Sequence, residues 1–138
     1  MKEIDDLLQK AVALLRQAEF TLDGGHYAFC VILCYYAMFF MVEAMLFSRG
    51  IMEEWTLFPM ELSELGHRCI IKSFCEHFVK TGIVEAEFGK MLRRAYDLRQ
   101  KGDYVIRGSA VSEREARECL EGAKSFVSRM ESYLKKVE

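Results

Sequence analysis

Residues 27–47 read YAFCVILCYYAMFFMVEAMLF, twenty-one residues with one charge, Glu43. At about 100° per residue the apolar side chains point in every direction around a helix, so none of its faces is suited to water. Such a helix is buried all round, in a bilayer or at the centre of a bundle. About twenty apolar residues would span a hydrocarbon core. Against a span stand Glu43 inside the run, the lack of a strong basic cluster at either end, and other amphipathic helical patterns able to cover this one. The expectation is a central helix without membrane contact.

The neighbouring segments supply that cover. From Ile4 to Leu22 the apolar residues recur at three and four, which predicts an amphipathic helix. Asp23, Gly24 and Gly25 end it and turn the chain back, so the second helix runs antiparallel from about His26 to Ser48, closed by Gly50. Residues 51–65 hold the only Trp and the only Pro and show no clean period. They read as a connection packed down by Trp55, Leu57 and Phe58. A third helix is expected from Gly66 to Lys80, with Ile70, Ile71, Phe74 and Phe78 on one side and His67 on that same side.

The fourth helix is expected from Val84 to Lys101, striped by Val84, Phe88, Met91, Leu92, Ala95 and Leu98. Lys90, Arg93, Arg94, Asp97 and Lys101 project oppositely, whereas Arg99 falls between Phe88 and Leu92 and aims inward. Gly102 is expected to stop this helix and residues 103–111 to form a loop. Ser112 with Glu115 is a capping box that opens the last helix, striped by Ala116, Cys119, Leu120, Ala123, Phe126, Val127, Met130, Leu134 and Val137. The fold class is all-α, an up-and-down bundle of four or five helices in a single domain over residues 1–138.

Composition narrows the function classes. A net charge of −2 gives no global attraction to nucleic acid, so any RNA site is a local patch. The polar, acidic start MKEIDD is unlike a secretory signal, and five cysteines without framework spacing suit reduced thiols; both point to a cytoplasmic protein. His67, Cys69, Cys75 and His77 fan out around one helix and cannot converge on an ion. Glu64 and His67 have the spacing of di-iron bundles, but a second pair is missing and Gly66 is expected to interrupt the helix. Neither a metal nor a cofactor is expected.

The segment Arg99 to Tyr104, RQKGDY, ranks first as a site. An inward arginine at a helix end presents fixed donors to a phosphate or carboxylate. Lys101, Asp103 and Arg94 are its expected companions, and the basic face of the fourth helix would guide a phosphate backbone. The alternative is that Arg99 pairs with Asp103 or Glu43 and only ties a helix end to the core.

Several short motifs in order carry a family resemblance: Gly25, Tyr27 and Ala28 at the start of the second helix, Cys34, Tyr35, Tyr36 and Ala37 in its middle, His67 opening the third, and LRQKGDY from Leu98 to Tyr104. With these the chain resembles the HEPN family, and LRQKGDY is similar to the R-x-x-A-D-Y signature of one prokaryotic branch. The resemblance implies a homodimeric helical bundle, the toxin or effector partner of a minimal nucleotidyltransferase. Active members are metal-independent RNases with arginine followed after four to six residues by histidine. Arg99 matches that arginine. Tyr104 stands in the histidine's place, and no histidine follows His77. A phenol with pKa about 10 is a poor general base at neutrality, so RNA or nucleotide binding is expected ahead of catalysis. The resemblance also suggests Tyr104 as an acceptor of AMP from the partner. His67 either reaches the Arg99 site to replace the missing base or is a core histidine bonded to a backbone carbonyl. The rival function is an inert interaction protein that binds and regulates the nucleotidyltransferase.

Overall fold

The computed structural model describes residues 2–51, 64–103 and 111–137. Five helices follow one another: α1 Lys2–Asp23, α2 Tyr27–Ser48, α3 Glu64–Phe74, α4 Ala86–Asp103 and α5 Glu113–Lys136. There is no strand among the described residues. The architecture is the expected all-α bundle.

The apolar run becomes α2, which packs against each of the other four helices. Its buried residues, from Cys30 and Val31 through Tyr35 and Met38 to Met45 and Leu46, cover most of its circumference, and Glu43 is buried with them. The burial expected all round fails on one side, where Phe29 is exposed and Leu33, Tyr36, Phe40 and Phe47 are only partly buried. By length and composition α2 would pass for a membrane span, yet 72% of its apolar window is buried by the rest of the chain. The turn before α2 is built as the glycines require. Gly25 takes φ 81°, and the amides of Gly25 and His26 return to the carbonyls of Leu22 and Thr21 at 3.0 and 2.8 Å.

Three boundaries differ from the sequence reading. Gly66 does not interrupt α3, which begins at Glu64 and buries Gly66 within it. The same element does not continue as an α-helix to Lys80: Cys75–Val79 form a π-helical turn, closed by the Lys80 amide on the Cys75 carbonyl at 2.9 Å. Phe78 stays fully buried across this wider turn and stacks on Phe74. Gly102 does not stop α4. It lies inside the helix, where a Cβ would sit 3.1 Å from the Ala28 carbonyl oxygen and 3.3 Å from the side chains of Ile32 and Val31. The glycine serves close approach of α4 to α2, not a chain reversal.

The capping box is present, with Ser112 Oγ accepting from the Glu115 amide at 3.1 Å and Glu115 Oε1 accepting from the Ser112 amide at 3.0 Å. The α5 stripe is buried from Ala116 to Leu134, whereas Val137, expected to belong to it, is 53% exposed. All five cysteines are free thiols. Trp55, Leu57 and Phe58, and the expected loop from residue 104 to 110, lie outside the described residues.

Candidate functional site

Arg99 follows the inward face of α4 and is 6% exposed. A buried guanidinium needs a carboxylate and polarisable surroundings to offset its lost hydration. It has both. Its Nη2 donates to Glu64 Oε1 at 2.7 Å, and its centre lies 5.2 Å from the ring centroids of Tyr35 and Tyr96 and 5.9 Å from that of Tyr36. The sequence reading offers Asp103 or Glu43 for this pairing; the structure adds Glu64, and the Asp103 side chain lies outside the described residues.

Glu64 stands in the first turn of α3, where the helix dipole favours a negative charge. Its other oxygen accepts from the Tyr96 hydroxyl and from Gln100 Nε2, the latter at 3.3 Å. Tyr96, Arg99 and Gln100 therefore meet one carboxylate from positions three and four apart on α4. The hydrogen bond from Tyr96, then that from Arg99, holds the Glu64 carboxyl below its ordinary range. Burial is the largest single influence on Arg99 and opposes its charge, but the bond to Glu64 together with the attraction of Glu64 and of the tyrosine hydroxyls outweighs it, and its pKa rises. The ion pair is asymmetric: the Arg99 side chain is 7% exposed and that of Glu64 53%.

His67 lies one turn beyond Glu64 and is 3% exposed. Its Nδ1 shares a 2.7 Å hydrogen bond with the Tyr35 hydroxyl, and its ring packs on Phe39 at 4.4 Å between centroids. It does reach the neighbourhood of Arg99, since both flank Tyr35. The bond is to a side chain, in place of the backbone carbonyl considered from sequence. Burial, reinforced by the charge on Arg99, pushes the His67 pKa down, and burial pushes the Tyr35 hydroxyl well up. Both groups are thereby kept neutral around pH 7.

Lys101 and Arg94 go elsewhere. Lys101 Nζ binds both oxygens of Glu115 at 3.0 Å, and Arg94 lies 3.8 Å from Glu118, so both turn to α5. Asp103 ends α4, and its side chain and Tyr104 lie outside the described residues. The structure thus joins Arg99 and His67 around Tyr35 and separates them from Lys101 and Arg94. Glu64, Tyr35, Tyr36 and Tyr96 are the contributors that sequence reading did not assign to Arg99. The signal was available in the spacing of Tyr96, Arg99 and Gln100. It was absent for Glu64, which fell in a segment read as connection. No group of three or more His, Cys, Asp or Glu among the described residues is arranged to hold a metal ion.

The resemblance motifs acquire physical roles. Gly25 makes the turn into α2, and the Tyr27 hydroxyl donates to Glu113 at 2.7 Å, tying the start of α2 to that of α5. Ala28 offers the carbonyl against which Gly102 closes.

Comparison with known proteins finds relatives along nearly the whole chain. "Putative toxin MJ0142" of Methanocaldococcus jannaschii is 27% identical over 133 residues, covering 96% of this chain and 82% of the relative. "Putative toxin MJ0605" of the same organism is 29% identical over 136 residues, covering 99% and 92%. A UPF0332 protein of Archaeoglobus fulgidus is 30% identical over 136 residues, covering 99% and 98%. The family model described as HEPN domain matches residues 4–133, so the chain belongs to the HEPN family.

Proposed function

We propose that this chain is a toxin-like HEPN protein, the effector half of a pair with a minimal nucleotidyltransferase, and that it binds RNA or nucleotide phosphate through Arg99. The names of the M. jannaschii relatives support the toxin-like part. A homodimeric state and a cytoplasmic setting belong to the same proposal. The observation that carries the phosphate part is the asymmetry at Arg99: a buried guanidinium whose carboxylate partner is half exposed. A phosphate oxygen arriving from solvent meets Glu64 first and competes with it for the planar donor set of Arg99.

Cleavage asks for more. The 2′-oxygen attacks the adjacent phosphorus, a base takes its proton, the 5′-oxygen leaves with a proton, and a cation steadies the phosphorane charge. Arg99 suits the last role. His67, the histidine beside it, is neutral at pH 7 but is engaged with Tyr35 inside the core. Binding therefore stands ahead of catalysis in the proposal.

A second reading, an inert protein that only engages the nucleotidyltransferase, is favoured by the same pair seen from inside, because Glu64 already occupies Arg99. RNA binding and RNA cleavage in EDTA by wild type, Arg99→Lys and Arg99→Ala separate the two, with circular dichroism to verify folding. Loss of binding in a folded Arg99 variant supports the first reading. Unchanged binding in both variants, or none by wild type, supports the second.

A further inference from the structure

Between α3 with its π turn and α4 lies an open cleft of about 490 Å³. Arg68, Lys72 and Lys80 line it from one side and Arg93 from the other, against the carboxylates Glu76 and Asp97. Four cations thus face two acids in a chain whose net charge is −2. The four differ from five of the six cations of α5. Arg114, Arg117, Lys124, Arg129 and Lys135 each hold a carboxylate, whereas none of the cleft cations forms an ion pair with a described carboxylate. Charges already paired have little left for a ligand; these, set against Glu76 and Asp97, leave the cleft an excess of two positive charges.

Their spacing points to the kind of ligand. Arg68 and Lys72 are one turn apart, about 6 Å, and Lys80 lies about 12 Å further on. A lone phosphate would reach one or two of them, while a strand carrying a charge every few ångströms reaches the whole row. The π turn lies within this wall, and such turns recur at functional sites. Tyr96 connects the cleft to the site described above: it lines the cleft, and its hydroxyl donates to Glu64 beside Arg99.

We propose that this cleft is a track for the sugar-phosphate backbone of single-stranded RNA, leading a phosphate past Tyr96 to Arg99. The proposal rests on the reading that the chain binds RNA, and it adds a second site that adjoins the surface of Lys101 and Arg94, sharing Arg93 and Asp97 with it. The test is fluorescence anisotropy of a labelled single-stranded oligouridine with the full chain across a salt series. Lys72→Gln with Arg93→Gln is compared with Arg117→Gln with Lys135→Gln, which removes the same charge from α5. The cleft pair is expected to weaken binding about tenfold at low salt and to reduce the salt slope by about 1.4, roughly 0.7 for each cation. The α5 pair is expected to change affinity less than about twofold.

Equal effects of the two pairs, or none from the cleft pair, would overturn the track and leave RNA binding standing. Absence of wild-type binding at low salt would overturn the RNA reading and the track with it. Displacement of the RNA by ATP, with ATP binding as tightly as the RNA and losing as much in the cleft pair, would replace the strand by a mononucleotide.

Discussion

Arg99 and Lys101 stand two residues apart on α4, and each holds a glutamate. Arg99 faces inward among three tyrosine rings with its side chain 7% exposed, whereas Lys101 faces α5 with 41% exposed. The bond lengths are similar, 2.7 and 3.0 Å, yet the energetic stakes differ. Water can replace Glu115 around Lys101. Around Arg99 it can replace Glu64 only from the side on which Glu64 is exposed, because the rest of the guanidinium is enclosed. Distance alone does not rank ion pairs; what replaces the partner does.

The strongest challenge to this contrast is Glu64→Ala. It deprives the buried guanidinium of this carboxylate, which for a fully buried pair would cost about 3–5 kcal/mol. With Glu64 half exposed and solvent able to follow, a loss of about 2–3 kcal/mol in urea unfolding is expected. A loss below about 0.5 kcal/mol would place the pair with ordinary surface bridges and break the comparison.

Gly102→Val tests whether the inward setting of Arg99 depends on helix approach. The new side chain would meet the Ala28 carbonyl, which is backbone and cannot rotate aside, so a loss of about 1–3 kcal/mol is expected from overpacking. Tyr35→Phe is expected to cost about 1–2 kcal/mol by leaving His67 Nδ1 without its hydroxyl partner while the ring contacts stay.

Acid sharpens the contrast without mutation. The folded pKa of His67 is below its ordinary 6.5, so the unfolded chain takes up the proton first. The stabilisation is complete above pH 6.5 and is lost as pH falls towards the folded value. Glu64 is depressed from 4.5, so its contribution is present above that pH and lost as pH falls further. Stability should therefore decline in two stages on acidification, and His67→Phe should flatten the first stage in thermal melts across that range. Lys101→Ala carries the smallest expected effect, below about 1 kcal/mol by urea unfolding.

The fold was legible because apolar spacing reports burial directly. An all-apolar α2 and the stripes of α4 and α5 leave few alternatives, and the inward aim of Arg99 follows from the same spacing. The pairing of Arg99 with Glu64 was not legible, because Glu64 lies thirty-five positions away, at the end of a segment without a clear period. Glycine misled in two places for one reason. Gly66 and Gly102 look like helix ends, yet both lie within helices, and at Gly102 the missing side chain makes room for a neighbouring backbone. A one-dimensional pattern records that a side chain is missing but not what occupies the space. The π turn was likewise hidden, since five residues with a wider turn leave almost the same apolar spacing as an α-helix.

The closeness of Gly102 to Ala28 also bears on how such a chain can vary over generations. A larger residue at position 102 meets a carbonyl that any residue at position 28 would carry, so it moves the helix that carries Arg99. Position 102 is therefore held small whatever stands at position 28, seventy-four residues earlier, and the arginine's inheritance is bound to that one glycine.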